Sequence, residues 1–436
     1  MTSSAPITEQ RYVAPLILVT TLFFLWALGV NLNDILIPHL KKVFDLSDLQ
    51  SALIQTAFFG GYFLSALPAG RLMEKIGYKK GIVTGLITCG IGALLFIPAA
   101  SIQVYGLFLF ASFVMACGQG VLEVAANPYV TLLGPTESSE RRLNLAQSFN
   151  SVGAVVTPFI GAAFILSALE YSREQLTQMT SDDVAAYRTA VVSTVRMPYL
   201  IIAGIFLAYA IVISLSQLPE VGATDATTKE ESTGEELRDL WRFKHLIKGV
   251  VAQFFYVGAQ VGVGSFVIRL AQHSVSGMIQ KDASFYLKLH LLGFMVGRFS
   301  GSYIMKRVPA ARLLALFALS TLVCLGVVLF GSGVAPLWAV VLIGFFHSIM
   351  FPTIFALSIK DLGRYTKLGS SLLVASIIGG AICPAVMGFI SDHSSIRVAF
   401  IVPLICQAYV LYFAMRGYMP VLNPEQLQAA ELSAAK

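Results

Sequence analysis

Charge is what this sequence has least of. Only 12% of its 436 residues are Asp, Glu, Lys or Arg, against roughly 25% in a water-soluble domain. A surface so poor in charge cannot face water on all sides. The alternating apolar and polar segments of a membrane barrel are missing too, which leaves helices as the way to satisfy a backbone in hydrocarbon. Cysteine is sparse: Cys89, Cys117, Cys324, Cys383 and Cys406 all fall in apolar stretches, without a CxxC pair or Cys/His ligand spacing. Neither a disulfide framework nor a metal site is read from them, and they are expected to be small buried packing residues. A P-loop is absent, which excludes ATP as the direct energy source. So are a TVGYG-like filter and a Ser/His/Asp arrangement, so neither a potassium pore nor an enzyme is indicated, and no cofactor is expected. No basic patch interleaves with aromatics, so nucleic acid is not an expected partner.

What is present is apolar length. Hydrophobic residues make up 56% of the chain, and runs of about 20 residues recur, each long enough to cross a bilayer core as a helix. About twelve such runs predict an all-α membrane protein with twelve transmembrane helices. The first run follows a short polar start with no A-x-A-like cleavage site, so a retained helix is expected and not a signal peptide. The net charge of +6 is concentrated in alternate loops. Arg71, Lys75, Lys79 and Lys80 follow the second span, Arg141 and Arg142 the fourth, Lys306, Arg307 and Arg312 the eighth, and Lys360, Arg364 and Lys367 the tenth. The short loops after the third and ninth spans carry no basic residue. The positive-inside bias then puts both termini and the middle loop in the cytoplasm.

The longest polar segment, 219–245, divides the chain into two parts of six spans each, 1–218 and 246–436. The parts echo each other. Gly70 and Gly301 each precede a basic residue by five positions (Lys75, Lys306). Pro128 pairs with Pro352, and Pro158, five after Gly153, pairs with Pro384, five after Gly379. Offsets of 231, 224 and 226 residues point to duplication, hence to two pseudo-symmetric six-helix bundles. In transporters built this way the binding site lies at mid-membrane between the repeats, and one half rocks against the other.

Two acids sit within these apolar spans, Asp34 and Glu123. A carboxylate at bilayer depth costs about 2.5–3.5 kcal/mol even on the mildest insertion scale, and such residues mark proton relays or polar solute paths. Asn31 and Asp34 are three apart, and Glu123 and Asn127 four apart, so each pair shares a helix face. Asp34 is a candidate to load and release a proton. Glu123 is a candidate to bind hydroxyls, relay a proton, or both, and Pro128 beside it interrupts the backbone ladder. On the fifth span Asn144, Gln147, Asn150 and Ser151 form one polar stripe of groups that both donate and accept, suited to a hydroxyl-rich ligand, or else to helix–helix bonding. Asn144 is the most structural of these.

The second half supplies His347, five before Pro352 as Glu123 is five before Pro128, and Gln253, Tyr256 and Gln260 on one face of the seventh span. A histidine there either titrates, bonds a ligand or packs. Lys288, His290 and Arg269 read as snorkelling toward the outer interface. Trp26 and Phe24 either stack on a sugar or pack in the core or against lipid. In the loop after the second span, Gly70 and Gly77 allow close approach and a tight turn, while the charges of Glu74, Lys75, Lys79 and Lys80 are candidates to pair with a partner helix in one conformation and release in another.

Those last six residues match the G-x-x-x-[D/E]-[R/K]-x-G-x-[R/K]-[R/K] loop of the major facilitator superfamily. FFLWALGVNLNDILIPH, LEVAANPYVTLLGP, RRLNLAQSFNSVGA, QFFYVGAQ and FPTIFALSIKDLG resemble, within it, the fucose–proton symporter family nearly end to end. That resemblance implies a central cavity between two bundles, proton coupling at Asp34, a sugar and coupling role for Glu123, and sugar contacts from Gln147 and Asn150. The family includes L-fucose, glucose/galactose and amino-sugar carriers, some animal relatives being sodium-coupled. The segment HSIM before FPTIF departs from the fucose-type pattern at the helix expected to read the sugar. The expectation is a proton-coupled importer of a hexose-type sugar in a bacterial inner membrane, working as a monomer in the lipid bilayer, with L-fucose the first guess. A glucose/galactose or amino-sugar carrier, sodium coupling, a drug antiporter and a non-transporting sugar sensor are the alternatives.

Overall fold

The computed structural model describes residues 5–44, 46, 48–164, 178–220, 238–275 and 277–420, apart from the side chains of some helical positions, those at 33–35 included. The described residues are almost all helical. In chain order the helices are α1 (Val13–Val43), α2 (Asp48–Ile102), α3 (Tyr105–Leu132), α4 (Ser139–Phe164), α5 (Ser181–Ser193), α6 (Arg196–Leu215) and α7 (Lys244–Ser274). They continue with α8 (Gln280–Ile304), α9 (Ala310–Phe330), α10 (Ala335–His347), α11 (Met350–Ser358), α12 (Thr366–Ala375), α13 (Gly379–His393) and α14 (Ile401–Tyr412). Nine stretches among the described residues are long and apolar enough to span a membrane. One of them, Leu53–Ile102, folds back at Gly77 and so makes two passes. With α4 and α8 added, the twelve passes expected from the sequence are present. The pairs α5/α6, α10/α11 and α12/α13 each supply one interrupted pass.

α4 and α8 fall outside the nine because both carry charge and amides. They also pack against each other across the two halves, where Asn144, Gln147, Arg298 and Ser302 are buried. Gly77 reverses α2 with φ 77° and ψ 174°, a backbone region that is essentially glycine-only. A Cβ there would lie 2.6 Å from a Glu220 carboxylate oxygen. Glu220 instead accepts the Tyr78 N–H at 3.3 Å, and Lys79 Nζ donates to the Ser216 carbonyl at 2.7 Å. The turn is thereby tied to the end of α6.

The two halves meet mainly toward the basic face, where the loops rich in Lys and Arg lie. Gly70 on α2 abuts Ser371 on α12 so closely that a Cβ would come within 2.8 Å. Ser302 Oγ on α8 donates to the Arg141 carbonyl at 3.3 Å, Phe149 meets Phe299 edge-on at 5.9 Å, and Lys360 pairs with Glu140 at 3.8 Å. The seams α2–α12 and α8–α4 are counterparts under the internal repeat. No such seam joins α1 to α7 among the described residues. Arg142, one of the basic residues after the fourth span, is fully buried. Its guanidinium donates to the carbonyls of Val130, Thr131, Ile7 and Pro135 and to Ser138 Oγ, stapling the α3–α4 turn to the N-terminal segment.

Candidate functional site at mid-membrane

Pro352 organises the second half's share of the site. Proline has no N–H and crowds the carbonyl four residues earlier, here that of Ser348. α10 ends at His347 and α11 begins at Met350, so carbonyls that a continuous helix would satisfy are released. Two side chains collect them. Arg298 Nε on α8 donates to the Ser348 carbonyl at 3.0 Å, and the Tyr256 hydroxyl on α7 donates to the His347 carbonyl at 2.9 Å. The matching Pro128 has no such effect: α3 runs through it unbroken.

Arg298 also reaches the other half. Its Nη1 donates to the Gln147 carbonyl at 2.6 Å and lies 3.3 Å from Gln147 Oε1. Gln147 Nε2 donates to Asn127 Oδ1 at 2.9 Å, and Asn127 Nδ2 donates to Glu123 Oε1 at 2.9 Å. A buried acid on α3 is therefore linked to a buried base on α8 by two amides in series, and the last link crosses between the bundles. Glu123 is 5% exposed and Arg298 4%. An acid and a base stay at this depth because each has hydrogen-bond partners. By helix rise Glu123 lies about 13 Å from the basic end of α3 and Arg298 about 9 Å from that of α8, so neither sits at the end of its helix.

The remaining expected residues are distributed around this path. Asn150 Nδ2 donates to the Phe23 carbonyl of α1 at 3.3 Å, and half-buried Asn31 donates to the Ala27 carbonyl of its own helix at 2.7 Å. Asp34 lies on α1, and its side chain is outside the described residues. Asn144 donates to the Glu140 carbonyl and to Thr353 Oγ1 on α11 at 3.0 Å, a further bond between halves. His347 is fully buried against its own half, with Gln407 Nε2 on α14 at 2.9 Å from its Nε2. His347 Nδ1, Gln407 Oε1 and both amide atoms of Gln253 are buried without a hydrogen-bond partner. Gln260 sits half-buried further along α7. In the loop, Gly70 lies in the α2–α12 seam and Gly77 at the reversal, while Lys75 and Lys80 are exposed.

One reading changes. His290 does not snorkel: it is 3% exposed, with Nδ1 at 2.8 Å from the Val340 carbonyl, because α8 and α10 pack too closely there to release it. Trp26 is a core residue, 3% exposed, stacked on Phe23 at 5.5 Å and donating to the Tyr62 hydroxyl, which donates in turn to Gln119. Arg298, Gln407, Tyr62 and Gln119 were not anticipated. For Arg298 a signal existed, since a cation six residues inside a span is deeper than an interfacial anchor needs.

Comparison with known proteins agrees with this architecture. The chain matches the family model of the Major Facilitator Superfamily over residues 19–374. It is 43% identical to the glucose/galactose transporter of Brucella abortus over 411 residues, covering 94% of this chain and 95% of that one. It is also 43% identical to the L-fucose-proton symporter of Escherichia coli over 409 residues, covering 93% of each. A crystal structure of the transporter FucP in the outward conformation superposes with a TM-score of 0.88 at 42% identity, covering 94% of this chain and 99% of that one. With that coverage, and with twelve passes in two facing bundles, the chain belongs to the Major Facilitator Superfamily.

Proposed function

We propose that this protein is a secondary active importer that couples entry of a hexose-type sugar to entry of a proton, with L-fucose as the first candidate. The observation that carries the reading is the buried path Glu123–Asn127–Gln147–Arg298, which ties an ionisable acid to the seam between the halves. A change of charge or ligation at Glu123 is then felt where the bundles separate. In this reading Asp34 and Glu123 handle the proton. Asn31, Glu123, Asn127, Gln147 and Asn150 form the sugar wall of the first bundle (1–218), and Gln253, Tyr256, Gln260 and His347 that of the second (246–436). The partnerless amide and imidazole atoms of the second wall fit a ligand, or water, rich in hydroxyls. The segment 219–245 serves as linker, its residues 221–237 lying outside the described ones.

The contacts gathered at the basic face support an outward-open arrangement, with that face and both termini in the cytoplasm. The Gly70–Lys80 loop acts as the gate on that side. A single chain in the bacterial inner membrane suffices for the cycle. Proton and sugar must each favour the passage between states, since equal affinity for both states shifts nothing. Equal identity to a glucose/galactose transporter favours one second reading, in which glucose or galactose is the sugar.

The test is a panel of sugars added to vesicles bearing the full-length protein, with external pH recorded. Alkalinisation specific to L-fucose supports the reading. Alkalinisation by glucose or galactose selects the second. Uptake driven by a sodium gradient without alkalinisation refutes proton coupling, and no uptake of any sugar refutes sugar import.

A further inference from the structure

We propose that Gln407 on α14 holds His347 in one neutral tautomer, with the proton on Nδ1, so that this histidine reads a sugar hydroxyl as a fixed hydrogen-bond donor and does not carry the transported proton. That His347 belongs to the sugar wall rests on the import reading above; the tautomer rests on geometry alone.

His347 is the last residue of α10, at the break before Pro352. Gln407 Nε2 lies 2.9 Å from its ring Nε2. An amide nitrogen offers two hydrogens and no acceptor, so it donates. The imidazole Nε2 must then accept, and the ring proton sits on Nδ1. An imidazolium does not fit, because its Nε2–H would face the amide hydrogens. The titratable neighbours give it no counter-charge either. The Tyr256 hydroxyl is committed to the His347 carbonyl, His290 Nδ1 faces the Val340 carbonyl at 2.8 Å, and among the described residues no carboxylate bonds His347. His347 and Gln407 are both at 0% exposure, where an unpaired charge is costly.

The bond leaves one donor and one acceptor unused. His347 Nδ1 and Gln407 Oε1 are buried without a partner, and so are both amide atoms of Gln253, three residues before Tyr256 on α7. Buried polar atoms are nearly always bonded, so this set calls for an occupant. A hydroxyl both donates and accepts and answers the whole set; a carboxylate or an ammonium answers half of it. While Gln407 holds Nε2, Nδ1 can only donate, so the sugar atom it meets is an acceptor. Gln407 is thus a positioning residue that acts through His347. The pair is closed to solvent in this state, and a hydroxyl enters with a movement at the α10–α11 break. That break feels the halves move, because Arg298 holds the Ser348 carbonyl beside His347 and also bonds Gln147 of the other half.

The experiment uses full-length protein in lipid vesicles with nitrogen-15-labelled histidine. The ring signals of His347 are identified by their loss in His347→Asn, and chemical shift tells a protonated nitrogen from a bare one. The expected result is a bare Nε2 and a protonated Nδ1 in the unsubstituted chain. In Gln407→Met, which fills the same space without the amide, Nε2 should gain the proton at least in part. Addition of L-fucose, glucose or galactose should move the Nδ1 signal of the unsubstituted chain. A protonated Nε2 in that chain, a doubly protonated ring, or an unaltered tautomer in Gln407→Met overturns the proposal. So does an Nδ1 signal that no transported sugar moves, since the occupant is then a resident water only. Transport gives a second readout, the half-saturation of counterflow for the sugar and its monodeoxy analogues. Loss of the hydroxyl that His347 reads should raise half-saturation about two- to tenfold in the unsubstituted chain, and this penalty should fall toward one in Gln407→Met. A packing defect would weaken every analogue alike and keep the penalty, which also overturns the positioning role. Failure of every sugar to exchange counts against the import reading, while the spectrum without sugar still decides the claim about Gln407.

Discussion

Arg298→Gln tests whether the buried path controls the seam. Arg298 makes one set of contacts within its own half, to the Ser348 carbonyl, and one set across the halves, to Gln147 at 2.6 and 3.3 Å. Only the second set is lost when α8 parts from α4, so only it biases the equilibrium between closed and open basic faces. A hydrogen bond from a charged group contributes about 1.5–3 kcal/mol, which corresponds to a shift of roughly ten- to a hundredfold in that equilibrium. Ser302 is a suitable reporter: it is 4% exposed and bonded across the same seam to the Arg141 carbonyl. Ser302→Cys should react slowly with a membrane-impermeant thiol reagent applied from the basic side, and at least tenfold faster when Arg298→Gln is added. Cys117 is half-buried and the other native cysteines are buried, so protein without the reporter gives the background. Arg298→Lys keeps the charge and loses the planar fork, so it should restore only part of the protection. Labelling that is unchanged in Arg298→Gln, or fully restored by lysine, would show that the bond across the seam does not hold it shut.

Four further outcomes are expected. Thr353→Val removes the neutral hydrogen bond from Asn144 and should raise Ser302→Cys labelling by only about two- to tenfold, less than Arg298→Gln does. Asp34→Asn should abolish uphill sugar accumulation while leaving part of the exchange; normal accumulation in vesicles would remove this residue from the coupling step. Glu123→Gln should leave sugar binding weaker or independent of pH, and binding that keeps the unsubstituted chain's pH profile and affinity would exclude Glu123 from both roles. Gly77→Ala forces a side chain into φ 77° against the Glu220 carboxylate, a strain of about 1–3 kcal/mol. The thermal midpoint should fall, and an unaltered midpoint would mean that the reversal relaxes without penalty.

The sequence carries the fold in one dimension and the site only in part, and the division has a physical cause. Span number, the doubled plan and the basic loops are local or periodic properties, so they are legible without knowing what touches what. Glu123 and Asn127 are legible as a pair because four residues is one helical turn, and they are hydrogen-bonded in the structure. Gln147 was visible as part of a stripe, but not its bond to Arg298, which is 151 residues away. An arginine near the end of a span, as Arg298 is, has an ordinary explanation in snorkelling. That explanation fails once α8 is seen to face α4, since no interface lies within reach of a side chain turned toward the partner bundle. His290 is held differently, by close packing of α8 on α10 within its own half.

Pro352 shows how the missing step becomes legible. A proline within a span frees the carbonyl four residues before it and weakens its neighbours' bonds, and a freed carbonyl in hydrocarbon needs a donor. The donors here are Arg298 and Tyr256, one a charge with no sequence motif around it. An unexplained cation deep in one span and an unexplained proline in another are therefore better read together than apart. The cation supplies the donor that the proline's helix lacks, and the helix break supplies acceptors that allow the cation to stay buried. The same reasoning separates Pro128 from Pro352 despite their matched positions. Among the described residues no arginine or tyrosine bonds the Val124 carbonyl, four residues before Pro128, and α3 continues through it. The internal repeat thus preserves the proline and not its consequence, and the bundle whose helix breaks is the one that reaches across to hold the other.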